Sequence, residues 1–127
     1  MYGGNDNFSV VSKLCDCYNN NKVLTIFNKG ESVRDFIHVD NVADIYVRLL
    51  SDNSINYPIL NIGSGNGYSL SDLIQNLSKK GFFIKTKYNL SSEIKFSTAN
   101  IDKLNCIINV AKFIDINDYL SDKFSKI

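Results

Sequence analysis

The chain has little of what would mark a charged surface, a metal centre or a spanning segment. Its formal net charge is +1, which gives neither nucleic acid nor an anionic membrane an electrostatic footing. Arg34 and Arg48 are the only arginines, and the lysines form no basic run. No apolar stretch approaches the roughly 20 residues needed to cross a bilayer. Met1–Asp6 has neither a basic region nor an apolar core, so no secretory signal is expected there. His38 is the only histidine, which excludes metal sites and acid–base pairs that need two imidazoles. The cysteines, Cys15, Cys17 and Cys106, are odd in number and cannot make a closed disulfide framework. Without a fourth ligand they do not make a zinc site either. They are expected to be reduced, buried thiols of a cytoplasmic protein.

What is present is globular. Of the 127 residues, 44% are hydrophobic and 21% charged, which suits one small domain over residues 1–127, or part of a larger one. Phe8, Val11, Leu14, Cys15 and Tyr18 recur at spacings of three and four, predicting a helix over 8–18 with these side chains on one face. Val23–Phe27 reads as a strand ended by a turn at Asn28-Lys29-Gly30. Val33–Val39 reads as a second strand. Asp40 reads as the N-cap of a helix through Leu50, with Val42, Ile45, Tyr46, Leu49 and Leu50 turned inward. Ile59–Ile62 is nearly continuous apolar sequence, the pattern of a strand covered on both faces. Ser69-Leu70-Ser71-Asp72 has the form of a capping box opening a helix to about Lys80. Phe82–Tyr88 reads as a further strand and Asp115–Phe124 as a last helix. Helices alternating with short strands give an α/β class with largely parallel pairing.

Two polar side chains sit where apolar ones belong. Arg34 opens the strand 33–39, and a buried guanidinium is costly unless a carboxylate or phosphate meets it. From the residues alone, an ion pair with Asp35 or Asp40 and a ligand anion both remain open. Asn61 lies inside the apolar run 59–62 and must bond either to nearby backbone or to a ligand. The glycine-rich Gly63–Gly67 lacks the spacing of G-x-G-x-x-G and the Lys-Ser/Thr of a P-loop, so it reads as a tight turn. Tyr18/Lys22 and Tyr119/Lys123 share a Tyr-x-x-x-Lys spacing, but 7 tyrosines among many lysines produce such matches by chance. His38, on an apolar strand, reads as a hydrogen-bonded core residue.

Val33-Arg34-Asp35-Phe36-Ile37-His38-Val39-Asp40 and the later Leu60-Asn61-Ile62-Gly63 together resemble the second half of an extended short-chain dehydrogenase. The family is that of the NAD-dependent epimerases and dehydratases acting on nucleotide sugars. The resemblance implies a small, partly parallel sheet with flanking helices, the C-terminal substrate-binding portion of that Rossmann-type fold without its dinucleotide-binding half. It implies that Arg34 meets the diphosphate of a nucleotide-diphosphate sugar and that Asn61 lies near the nucleotide. Asn7 and Ser9 match the loop into the substrate helix, where the family contacts the nucleotide. The family's catalytic tyrosine, its lysine and its glycine-rich NAD loop precede the segment that Tyr2-Gly3 resembles. By this likeness the chain holds no catalytic residue and no cofactor, NAD belonging to the parent family. One departure stands out. Where the family often has an arginine–glycine–aspartate stretch, this chain reads Leu90-Ser91-Ser92-Glu93.

The expected function is therefore the nucleotide-sugar-binding part of an epimerase or dehydratase, not catalytic alone. The alternative is a non-catalytic binding or assembly domain. Either way a homo-oligomer is expected, because an exposed sheet edge needs cover.

Overall fold

The computed structural model describes residues 1–127. Ten elements follow in chain order: α1 (Val10–Asn19), β1 (Leu24–Phe27), β2 (Val33–Asp35), α2 (Val39–Ser51), β3 (Gly67–Ser69), α3 (Leu70–Lys79), β4 (Thr86–Asn89), β5 (Phe96–Ser97), the single-turn α4 (Asp102–Asn105) and α5 (Ile116–Ser125). They form two small sheets. In one, β1 pairs in parallel with β4; in the other, β2 lies between antiparallel β3 and parallel β5.

The helical periodicities translate directly into the core. Val11 and Leu14 of α1, Leu73 and Leu77 of α3, and Ile116, Leu120 and Phe124 of α5 are buried with Leu24 and Ile26 of β1. Tyr2 joins this cluster, and its hydroxyl donates to the Ile114 carbonyl at 2.6 Å. A smaller cluster gathers Ile37, Ile45 and Leu104 under α2. Each fully buried leucine or isoleucine contributes about 1.5–3 kcal/mol relative to exposure. The caps are side chains competing for free amides at helix starts. Ser9 caps α1, Asp115 caps α5, and Ser69 with Asp72 forms the full reciprocal capping box of α3.

Several expectations need correction. The N-cap of α2 is His38, not Asp40: the His38 Nδ1 accepts the Asp40 N–H at 3.1 Å. Rings of Tyr2 and Tyr119 pack against the imidazole and fix its direction, so it reaches the amide first. Asp40 falls in the first turn, where a negative charge still suits the helix dipole. The strand expected over 33–39 divides at Asp35. Its continuation pairs instead with the start of the chain, through Tyr2 N–H to Ile37 O at 3.0 Å and Val39 N–H to Tyr2 O at 2.8 Å.

Ile59–Ile62 joins no sheet, and Ile59 and Asn61 are exposed. Both edges of β2, the strand before it in the chain, are already occupied by β3 and β5. Phe8, Tyr46 and Leu50 point outward although their spacing suggested the core. Periodicity locates an apolar face but not what covers it. Cys15 and Cys17 are half-buried free thiols, whereas Cys106 is exposed. No helix is long and apolar enough to cross a membrane.

Candidate functional site

Arg34 stands at a junction. It is the middle residue of β2, held between neighbours on both sides, and its side chain borders two open grooves. One Nη donates to the Val33 carbonyl at 2.8 Å. The other faces the Glu93 carboxylate at 3.6 Å, with both side chains about one-third exposed. Neither Asp35 nor Asp40 is its partner. Asp40 lies beside His38 at 3.7 Å.

Asp35 instead does local structural work. Its carboxylate accepts from the Ser64 N–H at 2.8 Å, the Ser64 hydroxyl at 2.7 Å, the Gly65 N–H at 2.9 Å and the Ala99 N–H at 3.1 Å. Four donors leave this carboxylate nothing to offer a guanidinium. They hold the 63–65 turn and the 98–99 segment beside Arg34. Gly63 is required by that closeness, since a Cβ there would overlap Ala99 and meet the Asp35 Oδ2 at 2.8 Å.

The first groove, about 590 Å³, carries Arg34, Asn61, Tyr46 and the backbone of Gly63 and Ala99 on its walls. Asn61 is exposed, lines the groove and donates from its Nδ2 to the Asn100 carbonyl at 3.3 Å, which leaves its Oδ1 without a protein partner. The second groove, about 340 Å³, is lined by Phe8, Lys13, Phe27, Phe36, Arg34 and Glu93. It is a cleft with aromatic walls and two cations at its rim. The structure thus brings Arg34 and Asn61 together, and leaves Asn7 and Ser9 apart from them. Ser9 is spent as a cap, accepting the Ser12 N–H at 3.2 Å. Asn7 is exposed and borders neither groove. Their neighbour Phe8 lines the second groove. It escaped sequence reasoning because it was assigned to the core face of α1; an aromatic two residues ahead of the first helical residue was the signal available. Lys13, Phe27 and Glu93 gave no such signal.

A dinucleotide does not fit the glycine-rich turn. The Ser64 and Gly65 amides that a pyrophosphate would need are bonded to Asp35, and the turn leads into β3, not onto a helix N-terminus. The two Tyr-x-x-x-Lys pairs are equally unsuited to chemistry. Tyr18 packs against Phe82 and Phe124 while Lys22 pairs with Asp16 at 3.0 Å. The Tyr119 ring packs on Tyr2 and His38, with the Lys123 ammonium 5.9 Å from its centre. Burial pushes the Cys15 and Cys17 thiols up from their ordinary range, which keeps them protonated and unreactive. No three His, Cys, Asp or Glu side chains converge where a metal ion could sit.

Comparison with known proteins places the chain beside a family of sugar-nucleotide enzymes in sequence and fold. Residues 1–63 match the family described as the NAD dependent epimerase/dehydratase family. Over 117 residues the chain is 30% identical to CDP-abequose synthase of Salmonella typhimurium, an alignment covering 84% of this chain and 39% of that protein. A UDP-glucuronic acid 4-epimerase from Bacillus cereus, solved as a mutant with UDP-4-deoxy-4-fluoro-glucuronic acid and NAD, matches with a TM-score of 0.80 at 25% identity. That match covers 94% of this chain and 39% of the epimerase. MoeE5 in complex with UDP-glucose and NAD matches in fold, with a TM-score of 0.81 at 20% identity over 98% of this chain and 44% of its own. The chain thus spans about two-fifths of the length of these relatives. Residues 1–63 thus carry the likeness to the NAD-dependent epimerase/dehydratase family, and the chain corresponds in fold to the C-terminal portion of such enzymes.

Proposed function

We propose that these 127 residues form the nucleotide-sugar-binding part of an NAD-dependent sugar epimerase or dehydratase and do not carry out hydride transfer by themselves. What supports this is the position of Arg34 between the two grooves. A guanidinium fork can meet two diphosphate oxygens at once. The cleft of Phe8 and Phe27 suits the flat face of a base, since aromatic–base stacking needs no particular base identity. Asn61, across the other groove, is placed to bond a polar group on the far side of the diphosphate. In this reading the sugar lies towards Asn61 and Tyr46 and the nucleoside towards Phe27. The relatives solved with UDP-glucose and with a UDP-glucuronic acid analogue make a nucleotide-diphosphate sugar the natural ligand class. NAD chemistry, where it occurs, would come from residues other than these, given that the Ser64 and Gly65 amides are taken.

The test is calorimetric titration of UDP-glucose into the wild type, Arg34→Ala and Arg34→Lys. Loss of a charge-assisted, bidentate contact in Arg34→Ala should cost about 1.5–3 kcal/mol per bond removed. Lysine should restore only part, because a point charge cannot reproduce the fork. The melting temperature should change little, since the Glu93 pair is about one-third exposed and long. A large fall in melting temperature with no change in affinity would assign Arg34 to the scaffold instead.

A second reading has its own observation. Tyr46, Val47, Leu50 and Ile59 are exposed together with the unpaired 59–62 segment, and a second copy of the chain could cover them. On that reading the domain is an assembly module.

A further inference from the structure

We propose that Glu93 is the resident counter-ion of Arg34, and that the 91–93 segment is a latch which a diphosphate must open to bind. The inference rests on reading Arg34 as the diphosphate ligand, and three independent contacts carry it beyond that reading. First, the Glu93 carboxylate faces Arg34 Nη2, the terminal nitrogen not spent on backbone, at 3.6 Å. Second, Glu93 is itself held: its Oε1 accepts from the Ser32 hydroxyl at 2.5 Å and from the Asn28 Nδ2 at 3.2 Å. Third, Asn28 clasps the same segment through its backbone. It accepts the Ser91 N–H at 3.0 Å and donates to the Ser91 carbonyl at 2.6 Å. The clasp depends on an unusual backbone, because Asn28 has a φ of 48°, a conformation asparagine tolerates better than most side chains.

The consequence is competition at one cation. A carboxylate and a phosphate oxygen cannot both occupy the same guanidinium edge, and like charges repel at that range. Glu93 borders both the aromatic cleft and the polar hollow outside it, of about 620 Å³, formed by Asn28, Lys29, Ser92 and Lys95. Displacing the carboxylate would join the two spaces and give the swung-out Glu93 Lys95 or Lys29 as a new partner. The latch therefore sets a threshold. A ligand with a single negative charge gains little by displacing Glu93, while a diphosphate gains the fork and sheds the repulsion.

UDP titrated into the wild type, Glu93→Gln, Arg34→Ala and the double variant tests this. Glutamine is isosteric and can keep the Ser32 and Asn28 contacts, so it removes charge and leaves the loop in place. Glu93→Gln should bind UDP about five- to tenfold more tightly than the wild type, combining the loss of a partly exposed pair with the lost repulsion. That gain should vanish in the double variant. Equal or weaker binding by Glu93→Gln, with Arg34→Ala still weaker than the wild type, overturns the latch and leaves the binding site standing. Arg34→Ala binding UDP as well as the wild type removes the site and the latch together, as does failure of both the wild type and Glu93→Gln to bind millimolar UDP. Asn28→Gly keeps the left-handed backbone while deleting the clasp. It should also tighten UDP binding, and unchanged or weaker binding counts against the latch.

Discussion

At the scale of single residues, the most constrained position is Gly3. It has a φ of 95°, and a Cβ there would overlap the ring of His38. That ring cannot retreat, because it is buried, packed against Tyr2 and Tyr119, and caps α2. Gly3→Ala should therefore destabilise the protein by about 1–3 kcal/mol from backbone strain, with the clash and the displaced cap in addition. Urea unfolding measures it, and a variant within 0.5 kcal/mol of the wild type (about the scatter of neutral substitutions) contradicts the assignment. Tyr2 and Tyr68 act at the same scale. Burial first, then the Asp115 charge, raises the Tyr2 phenol far above its ordinary 10.0. The Tyr68 phenol is raised chiefly by donating to Asp115 at 2.8 Å. A raised phenol supports the fold in its neutral form. That support is whole below pH 10 and is lost as alkali forces ionisation. Thermal unfolding followed from pH 8 to 11 should show a loss that begins near pH 10. Tyr68→Phe, which has nothing to ionise, should show less of it.

At the scale of elements, α3 is the one most completely written in its own sequence. The Ser69 Oγ accepts the Asp72 N–H at 3.1 Å and Asp72 accepts the Ser69 N–H at 3.1 Å. Hydrogen bonds from Ser69 hold the Asp72 carboxyl below its ordinary value, so its contribution is present above that value and lost as acid protonates it. Ser69→Ala should cost about 0.5–2 kcal/mol, read by chemical denaturation at neutral pH, with the difference shrinking below pH 4. Local signals of this kind explain what was legible: α1, α3, α5, β1 and the short class of strands. What was not legible depended on partners far away in sequence. β3 and β5 carry too few residues for any period to show. Asp40 lost the cap of α2 to His38 because Tyr2 and Tyr119 aim the imidazole. Ile59–Ile62 has the composition of a buried strand but pairs with none. In the site, Arg34 and Asn61 stood out as polar residues in apolar runs. Phe8 and Phe27 did not, because an aromatic at a groove and one in a core look alike in sequence.

For the molecule as a whole, exposed apolar side chains on and near α2 are the feature that bears on assembly. Tyr46, Val47, Leu50 and Ile59 lie in water, each forfeiting about 25 cal/mol per Å² of apolar area. A few hundred Å² is several kcal/mol, a large share of the roughly 5–15 kcal/mol that stabilises a domain. We therefore expect the 127-residue chain to self-associate. Sedimentation velocity should give a weight-average mass that rises with concentration, and Leu50→Lys should suppress it. A compact monomer at every concentration would leave the face uncovered and the assembly reading without support.

The buried cluster that runs from Tyr2 and Val11 to Leu120 and Phe124 also governs when the protein can exist at all. A ribosome adds about 5–20 residues each second, and during most of that interval α1 has no α5 to lie against. Tyr2 waits for a carbonyl 112 residues downstream. The buried face of α1 therefore stays open until α5 has left the exit tunnel. Until then that face lies open to chaperones and to neighbouring copies of the chain.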